Sequence, residues 1–267
     1  MAAVTTSVVL VVHNQPALTR ACVESLRETR GPFELCVVDN ASDTETVDYL
    51  DRLSRALPLR YLRNDENVGL IRALNQGANL ATGDLLCFLH NDTELRDPRW
   101  LEHLQGSVAA SSAHIGLAGL YGVQRLRRDG RYVGRTIVHC LEDAPTLRTP
   151  RAEVAVVDGV CLFLARDVLD AVGGFDEGYG FFHGYDRDLS FAVRELGLHC
   201  AVVNAPFVHR GGGTRTAEHA PVAPREDLAQ RQAALARFVE KWGHRLPCDV
   251  RRGPERLRDW LRGLRKV

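Results

Sequence analysis

The stretch Leu85-Leu86-Cys87-Phe88-Leu89-His90-Asn91-Asp92 constrains the fold of this chain more than any other. An uninterrupted apolar run of this length is a buried strand. It ends abruptly in an imidazole, an amide and a carboxylate. In an open α/β sheet, ligands bind at the carboxyl ends of the strands, so this polar triplet stands where a site forms. An acid there can hold a hard cation through oxygen, and a cation there can hold a diphosphate.

The rest of the chain alternates in the way such a sheet requires. Ser7–Val12 reads as a first strand ending at His13-Asn14, and Pro16–Thr29 as a helix with Leu18, Cys22 and Leu26 on one face. Phe33–Val38 is a second strand ending at Asp39-Asn40-Ala41-Ser42-Asp43, followed by a helix near Thr44–Arg55 and a short strand Leu59–Leu62. Leu70–Ala81 carries Ala73, Gly77, Ala78 and Ala81, a small-residue stripe suited to close packing on a sheet. Repeated βα units with short connections predict an α/β fold with a mostly parallel central sheet. The second half is less regular. Trp100–Ala110 and Asp186–Leu196 read as helices, and Ile115–Leu120 and Ala201–Val203 as strands. Val154–Val157 and Cys161–Leu164 read as two strands around an Asp158-Gly159 turn, while Gly122–Pro150 has no clear order. Arg210-Gly211-Gly212-Gly213-Thr214 is too glycine-rich for anything but a loop, which could order over a bound phosphate through Arg210 or Arg215.

Composition narrows the functional classes. The chain has 267 residues, enough for one large α/β domain or two small ones. Lys+Arg and Asp+Glu both number 34, so the charge balance gives no reason to expect a nucleic-acid partner. The seven cysteines are scattered without a CxxC pair, which predicts a reducing compartment and argues against a structural zinc. The N-terminus lacks a basic n-region, and His13-Asn14 ends the first apolar run too early for a signal peptide or membrane span. A cytoplasmic protein is expected.

Taken singly, each candidate residue has two readings. Asp39 could accept from a base imide or a ribose, and Asp-Asn-Ala-Ser equally suits a turn or a helix N-cap. Asp92 could ligate a metal or cap a following helix. Asp186 and Asp188 open a helix, where acids often only complement the dipole. His209 could be a ligand or a hydrogen-bonded core residue.

Their order along the chain resembles the family-2 glycosyltransferases of the GT-A fold, over about Thr6 to Thr214. The first strand ends in the polar pair His13-Asn14, and Val37-Val38-Asp39-Asn40-Ala41-Ser42 matches the family's Val-Val-Asp-Asn-x-Ser. Asn67-Val68-Gly69 and Asn75-Gln76-Gly77 follow, then Ala81-Thr82-Gly83-Asp84 before His90-Asn91-Asp92. Gly173-Gly174-Phe175-Asp176-Glu177 is similar to Gly-Gly-Phe-Asp-Glu, and Asp186-x-Asp188-Leu189 with Arg194 looks like the Glu-Asp-x-Asp-Leu helix. His209 corresponds to the family's late histidine.

The resemblance implies a single Rossmann-like α/β/α GT-A domain over residues 1–222, with a nucleotide-sugar half to about 95 and an acceptor half beyond it. Residues 223–267 would form a helical extension. It implies inverting transfer of a sugar from a UDP- or dTDP-sugar to an acceptor hydroxyl of a saccharide, a lipid-linked intermediate or a small molecule. Asp186 would be the general base. His13, Asn14, Asp39, Asn67, Gly69, Arg72, Asn75 and Asn91 would lie on the nucleotide-sugar side. Asp158, Gly159, Asp176, Glu177 and Tyr185 would lie on the acceptor side. Asp92 and His209 would ligate Mg2+ or Mn2+. Three positions depart from the pattern: His-Asn-Asp offers one carboxylate where many relatives have two, Tyr185 replaces a Glu, and Leu74 lies where some members carry an Arg, whose charge Arg72 could supply.

Other classes fit less well. A nucleotidyltransferase would need an early glycine-rich basic phosphate loop, which His13-Asn14-Gln15-Pro16 is not, and no G-x-G-x-x-G follows the first strand. A catalytically inactive sugar-nucleotide-binding subunit is the main alternative, given the missing acids. Pro224–Trp242 reads as a helix. Beyond it, Arg251, Arg252, Arg256, Arg258, Arg262, Arg265 and Lys266 accompany Leu257, Trp260, Leu261 and Leu264 at helical spacing. Such a basic amphipathic tail suits peripheral membrane contact, packing on its own domain, or a homodimer.

Overall fold

The computed structural model describes residues 5–109, 114–211 and 223–251, together with Gly253 and Arg256. The first half alternates as the sequence predicts: β1 (Thr6–Val12), α1 (Pro16–Arg27), β2 (Glu34–Asp39), α2 (Thr44–Ala56), β3 (Leu59–Arg63), α3 (Leu70–Leu80) and β4 (Leu85–His90). Local chemistry sets the boundaries. Pro16 occupies the first turn of α1, where its missing N–H costs nothing. Asp43 caps α2 by accepting from the Thr46 N–H at 2.9 Å. The small-residue stripe of α3 has the expected purpose: a Cβ on Gly77 would lie 2.3 Å from Val9 Cγ1, so only glycine lets the helix sit this close to β1.

The second half contributes β5 (Thr93–Leu95), α4 (Trp100–Ala109), β6 (Ile115–Gly119), β7 (Tyr121–Val123), β8 (Arg125–Leu126), β9 (Ile137–His139), β10 (Arg151–Val154), β11 (Val156–Val157), β12 (Cys161–Ala165), α5 (Arg166–Val172), α6 (Tyr185–Glu195), β13 (His199–Val203), β14 (Phe207–His209), α7 (Pro224–Trp242) and β15 (Cys248–Asp249). The main sheet has eight strands in the order β10-β13-β6-β12-β4-β1-β2-β3. β12 runs antiparallel to both β4 and β6, and β10 antiparallel to β13; the other pairings are parallel. β1 and β4 lie inside this sheet, so their apolar residues are buried and their polar ends share one edge.

Two local expectations are corrected and one helix is added. Val154–Val157 is not one strand: Val154 ends β10 in the main sheet, Val156 begins β11 in a small sheet with β7, and the Ala155 N–H bonds Val123 O at 2.8 Å between them. A continuous apolar run does not reveal that its two halves pair with different sheets. No helix follows Asp92; Thr93–Leu95 is instead a short strand paired antiparallel with β14. The unanticipated α5 begins at Arg166, whose guanidinium donates to the carbonyls of Ala78, Ala81 and Gly83 and fastens the helix to the α3–β4 connection.

α7 is not peripheral. Ala234, Phe238 and Trp242 are buried, and its last turn closes on the buried Asp188 of α6. That carboxylate accepts from Trp242 Nε1 at 2.7 Å, Tyr179 Oη at 2.9 Å and Lys241 Nζ at 3.0 Å. The glycine loop beyond Gly211 lies outside the described residues, as does the tail apart from Arg251, Gly253 and Arg256. Among the described residues no helix is long and apolar enough to cross a membrane.

Candidate active site

A cavity of about 650 Å³ opens at the carboxyl ends of β1 and β4, with His13 on one side and His90, Asn91 and Asp92 at its floor. The β11–β12 turn supplies Asp158 and Gly159, the start of α6 supplies Tyr185, Asp186 and Arg187, and β14 supplies His209. Arg231, Ala234 and Leu235 of α7 form a further wall, so the helix expected as an extension lines the cavity.

The floor is a cluster of three potential ligands. Donor atoms of His90, Asp92 and His209 all lie within 4.8 Å of one another. His209 Nε2 is 3.1 Å from Asp92 Oδ1, and His90 Nδ1 is 3.9 Å from the same oxygen. The sheet makes this meeting unavoidable. In the β5–β14 ladder His209 pairs with Thr93, and the Arg210 N–H bonds the Asp92 carbonyl at 3.0 Å, so residues remote in sequence are locked side by side. Burial opposes ionisation of Asp92, but the His209 imidazole close to it and the neighbouring His90 hold its carboxyl below the usual range. His90 was not among the predicted ligands. Its place two residues before Asp92 on the same strand end was the available signal. The triad joins one carboxylate to two imidazoles, a set that fits a divalent cation.

The same cavity holds an acidic pair, Asp158 and Asp186. Burial, then the charge of Asp186, pushes the Asp158 carboxyl up to about 6. Burial also raises Asp186, although Arg187 and backbone N–H groups act against it. Asp158 Oδ1 accepts from the Val160 N–H at 3.1 Å, and Asp186 Oδ1 from the Arg187 N–H at 2.9 Å. The Arg187 guanidinium lies 4.1 Å from the centre of the Tyr132 ring, which holds it beside the pair. Tyr132 was not anticipated, because the 122–150 segment shows no sequence pattern, and Arg187 was passed over between the two acids of its helix.

The structure places nine of the predicted site residues on the cavity: His13, Asn67, Asn91, Asp92, Asp158, Gly159, Tyr185, Asp186 and His209. Asn91 turns its amide to Thr19 Oγ1 at 2.8 Å. The other seven, Asn14, Asp39, Gly69, Arg72, Asn75, Asp176 and Glu177, do not line the cavity. Asp39 is fully buried, and its carboxylate accepts from the Ser42 N–H at 2.9 Å, from Tyr61 Oη at 3.0 Å and from Arg63. It organises the loop, while its neighbour Asn40 reaches the cavity, bonded to Asn67 at 2.8 Å and Asn64 at 3.0 Å. Asn14 adopts a left-handed conformation (φ 56) and braces the turn by accepting from the Asp43 N–H at 2.7 Å. Gly69 (φ 86) leads into α3 beneath Phe181, whose ring a Cβ would approach to 2.9 Å.

Arg72 and Asn75, expected on the nucleotide-sugar side, instead tie α3 to the Gly-Gly-Phe-Asp-Glu segment. Asn75 donates to the Phe175 carbonyl at 2.9 Å and to Glu177 at 3.0 Å, while Arg72 reaches Glu177 at 3.3 Å. Asp176, expected on the acceptor side, is held by Arg237 and Lys241 of α7, each at 2.9 Å. These polar residues span elements that sequence spacing does not bring together.

The family model described as Glycosyl transferase family 2 matches residues 7–173. The O-antigen biosynthesis protein RfbC of Myxococcus xanthus is 28% identical over 239 residues, covering 81% of this chain and 18% of that protein. The chain spans between about a fifth and about half the length of the first curated relatives it matches. Among solved structures, GalNAc-T7 with UDP, GalNAc and Mn2+ superposes with a TM-score of 0.66 at 18% identity, covering 89% of this chain and 48% of that one. The mannosyltransferase PcManGT from Pyrobaculum calidifontis, in complex with GDP-Man and Mn2+, gives a TM-score of 0.57 at 19% identity, covering 76% and 55%. The α/β architecture is the GT-A fold.

Proposed function

The chain belongs to glycosyl transferase family 2, and we propose that it moves a sugar from a nucleotide-diphosphate sugar to an acceptor hydroxyl, by a single inverting displacement with Asp186 as base. The observation that carries this reading is the placing of Asp186 and the His90–Asp92–His209 cluster on one cavity. His90, Asp92 and His209 would hold a divalent cation, and two imidazoles favour Mn2+ over the oxygen-seeking Mg2+. Such a cation supplies charge neutralisation for the departing diphosphate, which removes the need for a proton donor. A UDP- or dTDP-sugar is the proposed donor. His13, Asn40 and Asn67 line the cavity on the side proposed for the nucleotide.

Asp186 accepts the proton of the attacking hydroxyl. Its raised proton affinity makes the ionised form a stronger base than an exposed carboxylate. Asp158 holds the acceptor side of the cavity beside it, and Arg187 limits the repulsion between the two. The acceptor is a saccharide, a lipid-linked intermediate or a small molecule. Seven free cysteines, six of them buried, support a reducing, cytoplasmic setting.

Asp186→Asn tests the assignment. With Mn2+ present, UDP or dTDP should still raise the melting temperature of the variant, while transfer falls by roughly 10²–10⁴-fold. Transfer at the wild-type rate would remove Asp186 from the role of base.

A further inference from the structure

His90 has two ring nitrogens, and each faces a different neighbour. Nε2 lies 3.0 Å from the Tyr185 hydroxyl. Nδ1 lies 3.9 Å from Asp92 Oδ1, the oxygen that His209 Nε2 approaches to 3.1 Å from its own side. A cation held among these three residues therefore meets His90 through Nδ1. A neutral imidazole carries one N–H, so a free lone pair on Nδ1 requires the proton on Nε2 and an acceptor to receive it.

The Tyr185 hydroxyl oxygen is placed to be that acceptor. Its ring is buried at the first turn of α6 and packs edge-on against Phe175, with centroids 5.9 Å apart. It reaches His90 by crossing Gly159, where a Cβ would stand 2.1 Å from the hydroxyl oxygen and 2.7 Å from Cζ. No side chain larger than hydrogen is compatible with that path.

We propose that Tyr185 is a positioning residue for the metal centre: its hydroxyl accepts the Nε2–H of His90, presents Nδ1 to the cation, and requires glycine at position 159. This rests on the cation reading given above. A hydrogen-bond acceptor behind a ligating histidine fixes its tautomer and orientation, and losing one typically weakens metal affinity 10–100-fold.

Tyr185→Phe keeps the ring and removes only the hydroxyl. Mn2+ alone, titrated into wild-type and variant protein and followed by electron paramagnetic resonance, should bind the variant about 10–100-fold more weakly. The melting temperature without metal should be unchanged. Gly159→Ala, which displaces the hydroxyl without deleting it, should weaken Mn2+ binding similarly. In the Zn2+-loaded wild type, nitrogen-15 NMR should show His90 protonated at Nε2 and coordinated at Nδ1, a signature that a merely structural tyrosine would not set. Equal Mn2+ affinity in wild type and Tyr185→Phe, or coordination of His90 through Nε2, overturns the role of Tyr185 and leaves the cation site standing. Absence of Mn2+ binding by the wild type overturns the cation reading and this proposal with it.

Discussion

At the scale of single residues, the proposed chemistry rests on Asp158 and Asp186. Burial opposes ionisation of both carboxyls, and at Asp158 the charge of Asp186 adds to it, so both bind protons more tightly folded than unfolded. The folded state then holds more protons than the unfolded chain as pH rises from the ordinary carboxylate range to about 6. Stability should fall across that window and level off above it. Asp158→Asn removes one charge and keeps an acceptor for the Val160 N–H. It should raise stability at pH 7 by about 1 kcal/mol, a gain of roughly 2–4 °C in melting temperature. With Asp186 as the proposed base, active when ionised, transfer should decline as pH falls through its raised pKa, and Asp158→Asn should move that acid limb to lower pH. An unchanged limb and an unchanged melting temperature would show that the two carboxyls do not interact.

At the scale of elements, the βα alternation of the first half was legible because long periodic segments bury one face. Pro16 and the α3 stripe fall where the sequence placed them. The short strands were not legible. β5 and β14 have three residues each, too few for a period, yet their register is what brings His209 to Asp92. The partner of Asn75 was not legible for a related reason: its Asn-x-Gly setting suggested ligand contact, and the carbonyl it donates to, that of Phe175, lies 100 residues away. α7 was legible as a helix but not as a cavity wall, since Asp188 and Trp242 are joined only by the fold. Trp242→Phe keeps an aromatic ring but is smaller, and it deletes the N–H that Asp188 accepts. It should cost roughly 1.5–3 kcal/mol in denaturant unfolding and loosen the wall formed by Ala234 and Leu235. Unchanged stability would mean that Tyr179 and Lys241 satisfy Asp188 unaided.

For the molecule as a whole, the order of motifs from His13 to His209 predicted one cleft, and the structure gathers Asp92, Asp158, Asp186 and His209 into it. Asp39 lies behind the cleft, because a strand-end carboxylate can face either the ligand or its own loop and sequence does not distinguish the two. His90 shows the converse. As a substitution in a two-acid pattern it looked like a loss of metal-binding capacity, whereas the fold makes the imidazole a ligand candidate. The assembled site predicts that chelation with EDTA abolishes transfer and that added Mn2+ restores it better than Mg2+ does. Retained transfer after chelation would separate the cluster from the chemistry. The most direct measurement is a crystal structure of the protein with Mn2+ and a nucleoside diphosphate, recorded at a wavelength where manganese scatters anomalously. An anomalous peak bounded by His90, Asp92 and His209, with the diphosphate against it and Asp186 across the cavity, is the predicted result. A cation bound elsewhere, or a diphosphate seated away from Asp92, would contradict it.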